Sequence, residues 1–381
     1  MRSVIYVNYS PYENSGKILD YLLENFHYVF LISLGFYYLG EKQKSNSLTI
    51  YEHGKVLRKF SLYQIPVPPK LVFISLPIKS IISFAQIILW SLFLRKQYGR
   101  IEYYFSVNAF TAWIGNMLKT FGVVRKTVFW VWDYYPPIHE NKIITFMRIV
   151  YWQFDKWATC SDVIAFVNQR LLDLRKAMGV IMEDAKYPII PIGTEKLLRD
   201  VSKNTKPRLV FGFIGVIKKS HGLGIVFDYA KEIKRQFPDV RYEVIGFGPD
   251  EHFFRQQARR SGLPTTFHGY VEEKKVNVIL SRTTVGIATY VPDRTSVSHF
   301  GDPGKIKMYI SLGIPVIATN VIAFAKEIKK SGAGEIVEYN NKQEFVQAVA
   351  KILSDYPTYQ KNSLRLSRTL HYKKIYPRFF Q

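Results

Sequence analysis

Apolar positions along this chain recur in two periods that take turns. Short runs of apolar and β-branched residues, about four to eight long, mark strands covered on both faces, and stretches with apolar residues three and four apart mark helices lying on them. In the first half SVIYV, YVFLISLGF, IEYYFSV, TVFWVWD, VIAFV and PIIPI read as strands, with a hairpin around LTIYEHGKVLRKF. Between them GKILDYLLENF, FTAWIGNMLKTFG, a segment ending near Trp157, and RLLDLRKAMG read as helices. Residues 194–207, TEKLLRDVSKNTKP, lose both periods, carry mainly polar and charged side chains and end on Pro207, which predicts a linker. The alternation then restarts with LVFGFIG, VRYEVIG, TTFHG, TVGIATY, PVIAT and EIVEY as strands and helices between them. Strand–helix alternation of this kind predicts an α/β fold with two doubly wound parallel sheets, residues 1–193 and 208–355, followed by a helical tail, 356–381. Two such domains place a ligand cleft between the carboxyl ends of two facing sheets.

One stretch departs from amphipathic patterning. LVFISLPIKSIISFAQIILWSLFLRK, residues 71–96, is uncharged only from Ser80 to Leu94, short of the roughly 20 residues a spanning helix needs. Its first reading is a helix buried in the first domain. Its second is a helix partly embedded in a membrane face, with Arg95, Lys96 and Arg100 among anionic head groups.

Composition adds a phosphate preference. The 53 Lys and Arg against 30 Asp and Glu give a formal charge of +23, which favours nucleotides, nucleic acid or anionic lipid without choosing among them. The single cysteine, Cys160, excludes an internal disulfide and a Cys-rich metal site and fits a reducing compartment. The start of the chain runs straight into a strand without a signal-peptide core, so the expected location is cytoplasmic, with a peripheral position on the inner membrane face as the alternative.

Candidate chemistry gathers where strands end. PYENSGK follows the first strand, and FIGVIKKSHG follows the first strand of the second domain, with Lys218, Lys219 and His221 between Gly215 and Gly222. Such turns bring backbone N–H groups close to a phosphate. VIGFGPDE, with Gly246, Phe247 and Gly248, and FHGYV, with Gly269, Tyr270 and Val271, reach the same sheet edge; neither has dinucleotide-fingerprint spacing. In FWVWDYYPPIHEN, Asp133 ends a very apolar strand, where a carboxylate serves as a general base, holds a sugar hydroxyl or caps the loop; His139 is a further candidate. In HFGDPGKIKMYISLGIPVIAT, Asp302 reads as a helix cap and Pro303 as the first helical residue, which puts the cation Lys305 in a first turn that prefers an anion. No HExxH, P-loop or Ser-His-Asp arrangement is present.

In their order and spacing, the Ser15-Gly16 turn, the segment at Asp133, PIIPIG, FIGVIKKSHGL, EVIGFGPDE, FHGYV, VGIATY and DPGKIKMYISLGIPVIAT resemble a GT-B glycosyltransferase of the broad family-4 group. The resemblance implies two Rossmann-like domains, a tail that crosses back onto the first, a nucleoside-diphosphate sugar held by the second domain and an acceptor held by the first. It places the diphosphate against Gly215, Lys218, Lys219, Gly304 and Lys305, and the nucleobase against Gly246, Phe247, Gly248, Tyr270 and Val271. Ser15, Gly16, His139, Tyr290 and Asp302 are the candidates for the donor or acceptor sugar. No metal and no cofactor beyond the sugar nucleotide is expected, and nucleic acid is not an expected partner. The sequence also departs from the family: Val216 stands where an arginine is usual, and Phe300 and Met308 stand where paired glutamates are usual. The DPxK pattern, with Asp302 and Lys305, is that of a divergent branch.

The reaction implied is sugar transfer to a saccharide or lipid-linked acceptor in cell-surface polysaccharide synthesis. Lysines 305, 218 and 219 would stabilise the leaving phosphate. Asp133 would be the base of an inverting reaction or orient a sugar in a retaining one. Two other readings stay open: a non-transferring enzyme of the same fold, such as a sugar-nucleotide epimerase, and an inactive relative that binds phosphate or membrane.

Overall fold

The computed structural model describes residues 2–9, 16–35, 45–65, 72–195, 208–293 and 296–381. The chain divides into two units, Met1–Pro191 with Ile375–Gln381, and Ile192–Lys374.

In the first unit β1 (Ser3–Asn8), α1 (Ile18–Asn25), β2 (Tyr28–Ser33), β3 (Ser47–Glu52) and β4 (Lys55–Ser61) lead to a long helix, α2 (Val72–Tyr98). Then come β5 (Ile101–Ser106), α3 (Ala109–Thr120), β6 (Val124–Val131), α4 (Lys142–Ala158), β7 (Val163–Phe166) and α5 (Gln169–Ala177). The sheet order is β4-β3-β2-β1-β5-β6-β7, with parallel pairings except for those β3 makes with β2 and β4, which are antiparallel. Asn108, Asn141 and Asn168 each start a helix by accepting a backbone N–H, the capping chemistry their side chains favour. PIIPI, expected as a strand, contributes only a bridge of Ile189 to Phe166. Pro188 and Pro191 have no N–H to give a ladder, so the segment pairs with β7 through single bonds around Phe166.

Both sheet faces are covered. On one, Ile87 and Leu94 of α2 join Ile114 and Leu118 of α3 against Ile5, Phe30 and Tyr104, and each such fully buried side chain contributes about 1.5–3 kcal/mol. On the other, the chain's last residues return: Phe379 lies 5.0 Å from Trp130 and 5.2 Å from Phe105, ring centre to ring centre. Helix α2 is not the buried helix first expected. The stretch Ser75–Tyr98 is long and apolar enough to cross a membrane, and 28% of its 18-residue apolar segment is buried. The side carrying Leu76, Ile87 and Leu94 is buried, with Phe84, Ile88, Trp90 and Phe93 partly buried beside it.

The second unit runs β8 (Val210–Ile214), α6 (Ile225–Asp228), α7 (Ala230–Gln236), β9 (Arg241–Ile245), α8 (Glu251–Ser261), β10 (Thr265–Phe267), α9 (Glu273–Leu280) and β11 (Val285–Ala288). It continues with α10 (Val297–Phe300), α11 (Gly304–Ser311), β12 (Val316–Thr319), α12 (Ala325–Ser331), β13 (Gly334–Val337), α13 (Lys342–Ser354), α14 (Tyr356–Thr369) and α15 (Tyr372–Ile375). The sheet is parallel throughout, in the order β10-β9-β8-β11-β12-β13. The order therefore reverses between β8 and β11. In an open α/β sheet the crevice beyond the carboxyl ends of those two strands is where a ligand fits.

Candidate active site

The loop after β8 stands at that switch point, braced by the turn after β9. Gly215 N donates to Ile245 O at 3.0 Å, Ile217 N to Phe247 O at 2.9 Å, and Lys219 N to the Asp250 carboxylate at 2.8 Å. Gly246 has φ 124°, and a Cβ there would lie 2.0 Å from Gly215 O, so only glycine lets the two turns meet. Gly246 N in turn donates to Gly269 O at 2.8 Å. The structure thereby gathers Gly215, the Gly246–Gly248 turn and the Gly269–Val271 turn, all nominated from the sequence. Phe247 and Tyr270 approach to 6.3 Å between ring centres, with Tyr270 exposed. Both loop lysines are exposed, and the Lys219 ammonium lies 4.4 Å from the Phe253 ring centre on α8.

Lys305 reaches under this loop from α11. Its ammonium lies 4.1 Å from the ring centre of Phe213 and 4.7 Å from that of Tyr290, and it is buried with no hydrogen-bond acceptor among the described residues. A Cβ on Gly215 would stand 3.6 Å from that nitrogen, so the bare glycine leaves the ammonium directly beneath the backbone of the loop. Burial lowers the Lys305 pKa to about 7. Its neighbour His221 is pushed down to about 3, first by burial and then by Lys305 and Lys218, and stays neutral at physiological pH. The carbonyl of Val216, 2.8 Å away, fixes the tautomer with the proton on Nδ1. Phe213, Tyr290 and His221 therefore form an uncharged housing around one cation. A buried ammonium without a partner is costly unless an anion arrives to complete it.

Asp302 does not cap α11, as the sequence had suggested. The helix begins at Gly304 with Pro303 in the cap position and no side-chain capping bond. The Asp302 carboxylate instead lies 2.8 Å from the Lys307 ammonium and accepts the N–H of Ile192 at 2.9 Å. Lys307 is buried, and the charge it brings inside outweighs a capping bond in the competition for the carboxylate. Tyr290, a sugar candidate, is 4% exposed, and its ring is a wall of the Lys305 housing. Tyr309 went unnoticed in the sequence. Its hydroxyl donates to Gly212 O at 3.1 Å and accepts from Ile214 N at 3.0 Å, pinning the end of β8 to α11.

In the first unit Asp133 follows β6 by two positions. Burial raises its carboxyl to about 6, against a hydrogen bond with Tyr135 that lowers it. Gly16 has φ 74° and its carbonyl accepts the Tyr376 hydroxyl at 2.5 Å, while Ser15 lies outside the described residues. His139 is exposed, its Nδ1 accepting from Asn141 N at 3.0 Å in the turn that opens α4. Sequence reading missed the buried pair of Arg175 with Asp155. The guanidinium also lies 5.1 Å from the ring centre of Tyr134, so it steadies the residue next to Asp133. A lone aspartate in the apolar phase of α4 was the available signal. Among the described residues no three His, Cys, Asp or Glu side chains converge on a metal position.

Residues 208–355 match the family model described as glycosyl transferases group 1. No curated protein sequence matches the chain. Among solved structures, sucrose-phosphate synthase from Thermosynechococcus elongatus superposes with a TM-score of 0.69 at 14% identity, over 100% of this chain and 98% of that one. A UDP-forming α,α-trehalose-phosphate synthase from Burkholderia vietnamiensis gives 0.68 at 11%, over 100% and 99%. HepE from Anabaena, in complex with UDP, gives 0.65 at 12%, over 99% and 98%. The second unit carries a segment that matches the group 1 glycosyl transferase model, and the whole chain has the two-domain GT-B fold of these neighbours.

Proposed function

We propose that the protein transfers a sugar from a nucleoside-diphosphate sugar to a hydroxyl of a saccharide or lipid-linked acceptor in cell-surface glycan synthesis, working in the cytoplasm on the inner membrane face. The observation that carries the reading is the buried, unpartnered ammonium of Lys305 beneath the Gly215 loop at the sheet's switch point. When the bond from the anomeric carbon to the diphosphate breaks, negative charge grows on the leaving oxygen. A fixed ammonium in an apolar housing stabilises that charge more than a hydrated one does. Lys218 adds positive charge at the rim, and the exposed Tyr270 offers a face for the base. The new bond forms between the acceptor oxygen and the anomeric carbon. The hydroxyl proton leaves to Asp133 in an inverting course; in a retaining one it passes to the departing diphosphate oxygen and Asp133 orients a sugar. A UDP complex of a structural neighbour is in keeping with the diphosphate donor.

The test is a panel of nucleoside-diphosphate sugars with saccharide acceptors, reading released nucleoside diphosphate and glycosylated product. Replacing Lys305 with alanine should lower turnover by about 10²–10³-fold. Full activity in that variant sinks the reading, and an isomerised sugar nucleotide without transfer redirects it to an epimerase.

A further inference from the structure

Helix α2 is apolar on the side turned away from the sheet as well as on the side that packs, and the outer side finds no protein among the described residues. Ile78, Ile81, Leu89 and Leu92 form a single line on the side turned away from Leu76, Ile87 and Leu94, and they are 58%, 69%, 65% and 45% exposed. A helix apolar all round belongs inside a core or against lipid. The second stripe lies on α4, where Phe146 and Trp157 are 65% and 49% exposed on the side opposite the buried Asp155. The two helices cover the same sheet face with α3 between them: Trp113 of α3 meets Phe84 of α2 at 5.7 Å and Trp157 of α4 at 5.6 Å.

Charge names the occupant. Helices α2, α3 and α4 contain one carboxylate, Asp155, which is buried on Arg175. At their ends Arg95, Lys96, Lys142 and Lys156 are exposed. A second copy docking through this face would set the same cations against themselves, because a twofold interface repeats its own surface. An anionic bilayer satisfies both features, with apolar side chains entering at acyl-chain depth and ammonium groups meeting head-group phosphates.

We infer that the α2–α4 face of the first unit is a docking surface for an anionic lipid bilayer, with α2 lying in the plane of the interface. This deepens the membrane part of the function proposed above and rests on it. It also assigns the contact to the α2 and α4 stripes together, where the sequence pointed to α2 with the basic residues at its end.

The experiment uses the full-length protein and vesicles of phosphatidylcholine, alone or with phosphatidylglycerol, read by co-sedimentation, with UDP affinity measured in parallel. Binding should require phosphatidylglycerol and weaken with salt. The double variant Ile81→Asp/Leu89→Asp, and separately Phe146→Asp, should each reduce partitioning by about tenfold or more while UDP affinity holds. Lipids brominated on the acyl chain should quench the tryptophan fluorescence of the unmodified protein, and less so in Trp157→Phe, a readout that does not depend on a charged variant folding. No binding to the mixed vesicles, or no quenching, overturns the inference. So does a dimer of the unmodified protein that Ile81→Asp/Leu89→Asp converts to monomer. Loss of UDP binding in the unmodified protein would instead strike the sugar-transfer reading and leave this surface standing.

Discussion

The Lys307 ammonium lies 2.8 Å from the Asp302 carboxylate, and both side chains are buried, whereas the ammonium of Lys305 one turn-edge away has no such partner. Two lysines two positions apart thus hold opposite electrostatic states. Removing one member of a buried pair strands the other charge and costs about 3–5 kcal/mol. Asp302→Asn keeps an oxygen for the Ile192 N–H but loses the charge, so chemical denaturation should show most of that loss. Adding Lys307→Met should recover much of it. Equal stability of Asp302→Asn and the unmodified protein would mean that the pair is not formed.

In the proposed function, Lys305 makes nucleotide binding depend on protons. Its pKa falls from the ordinary 10.5 to about 7 in the folded chain, and a diphosphate bound there as proposed would restore the charged form. Without ligand, the unfolded chain holds this proton between those values while the folded chain has released it. Stability from this group therefore rises with pH across that window and is lowest below it. Binding of UDP at a pH about one unit or more above 7 should take up close to one proton, and at pH 6 almost none. Calorimetry in buffers of different ionisation enthalpy reads the uptake directly. Lys305→Met should abolish it; an uptake unchanged in that variant would place the proton elsewhere.

How far the sequence could be read follows from which forces are local. Strand runs, asparagine caps and glycine turns act over a few residues, so the alternation, the two sheets and the meeting of Gly215, Gly246 and Gly269 were legible. Pairing across distance was not. Local rules made Asp302 a cap because Pro303 follows it, but the carboxylate went to Lys307, and nothing in the linear chain says that Lys307 is inside and Lys305 beside an aromatic ring. The same holds for Arg175 with Asp155, and for Tyr309, whose hydroxyl finds the end of β8 from another element. The apolar run of α2 predicted a helix correctly, but composition cannot say how many of its sides find protein.

The meeting of the two glycine turns gives a further prediction. At Gly246 a methyl group meets the carbonyl of Gly215 at 2.0 Å, and φ 124° is strained for any L side chain. Gly246→Ala should cost on the order of 2–4 kcal/mol and displace the loop that carries Lys218. Gly304 is a stability control: it is exposed at the start of α11, and a Cβ there meets nothing within 4 Å. Gly304→Ala should leave the melting temperature within a degree or two of the unmodified protein. If both variants melt alike, the contact between the turns is not what holds them.

Asp133 tests acceptor chemistry and stability in one residue. Its carboxyl is raised from the ordinary 3.8 to about 6, chiefly by burial, so between those values the folded chain keeps a proton that the unfolded chain gives up. Stability from this group therefore falls as pH rises through the window, and above about 6 the buried carboxylate imposes its full penalty. Asp133→Asn preserves an oxygen for Tyr135 and removes the charge. The variant should melt higher than the unmodified protein at pH 8, and the difference should vanish toward pH 4. Transfer should nonetheless drop by about 10²-fold or more, because an amide cannot accept the acceptor's proton or hold a sugar hydroxyl as a carboxylate does. Nucleotide affinity, which the proposed function assigns to the second unit, should not move. A variant that is more stable, binds nucleotide normally and transfers at the full rate would remove Asp133 from the chemistry and leave it a loop residue.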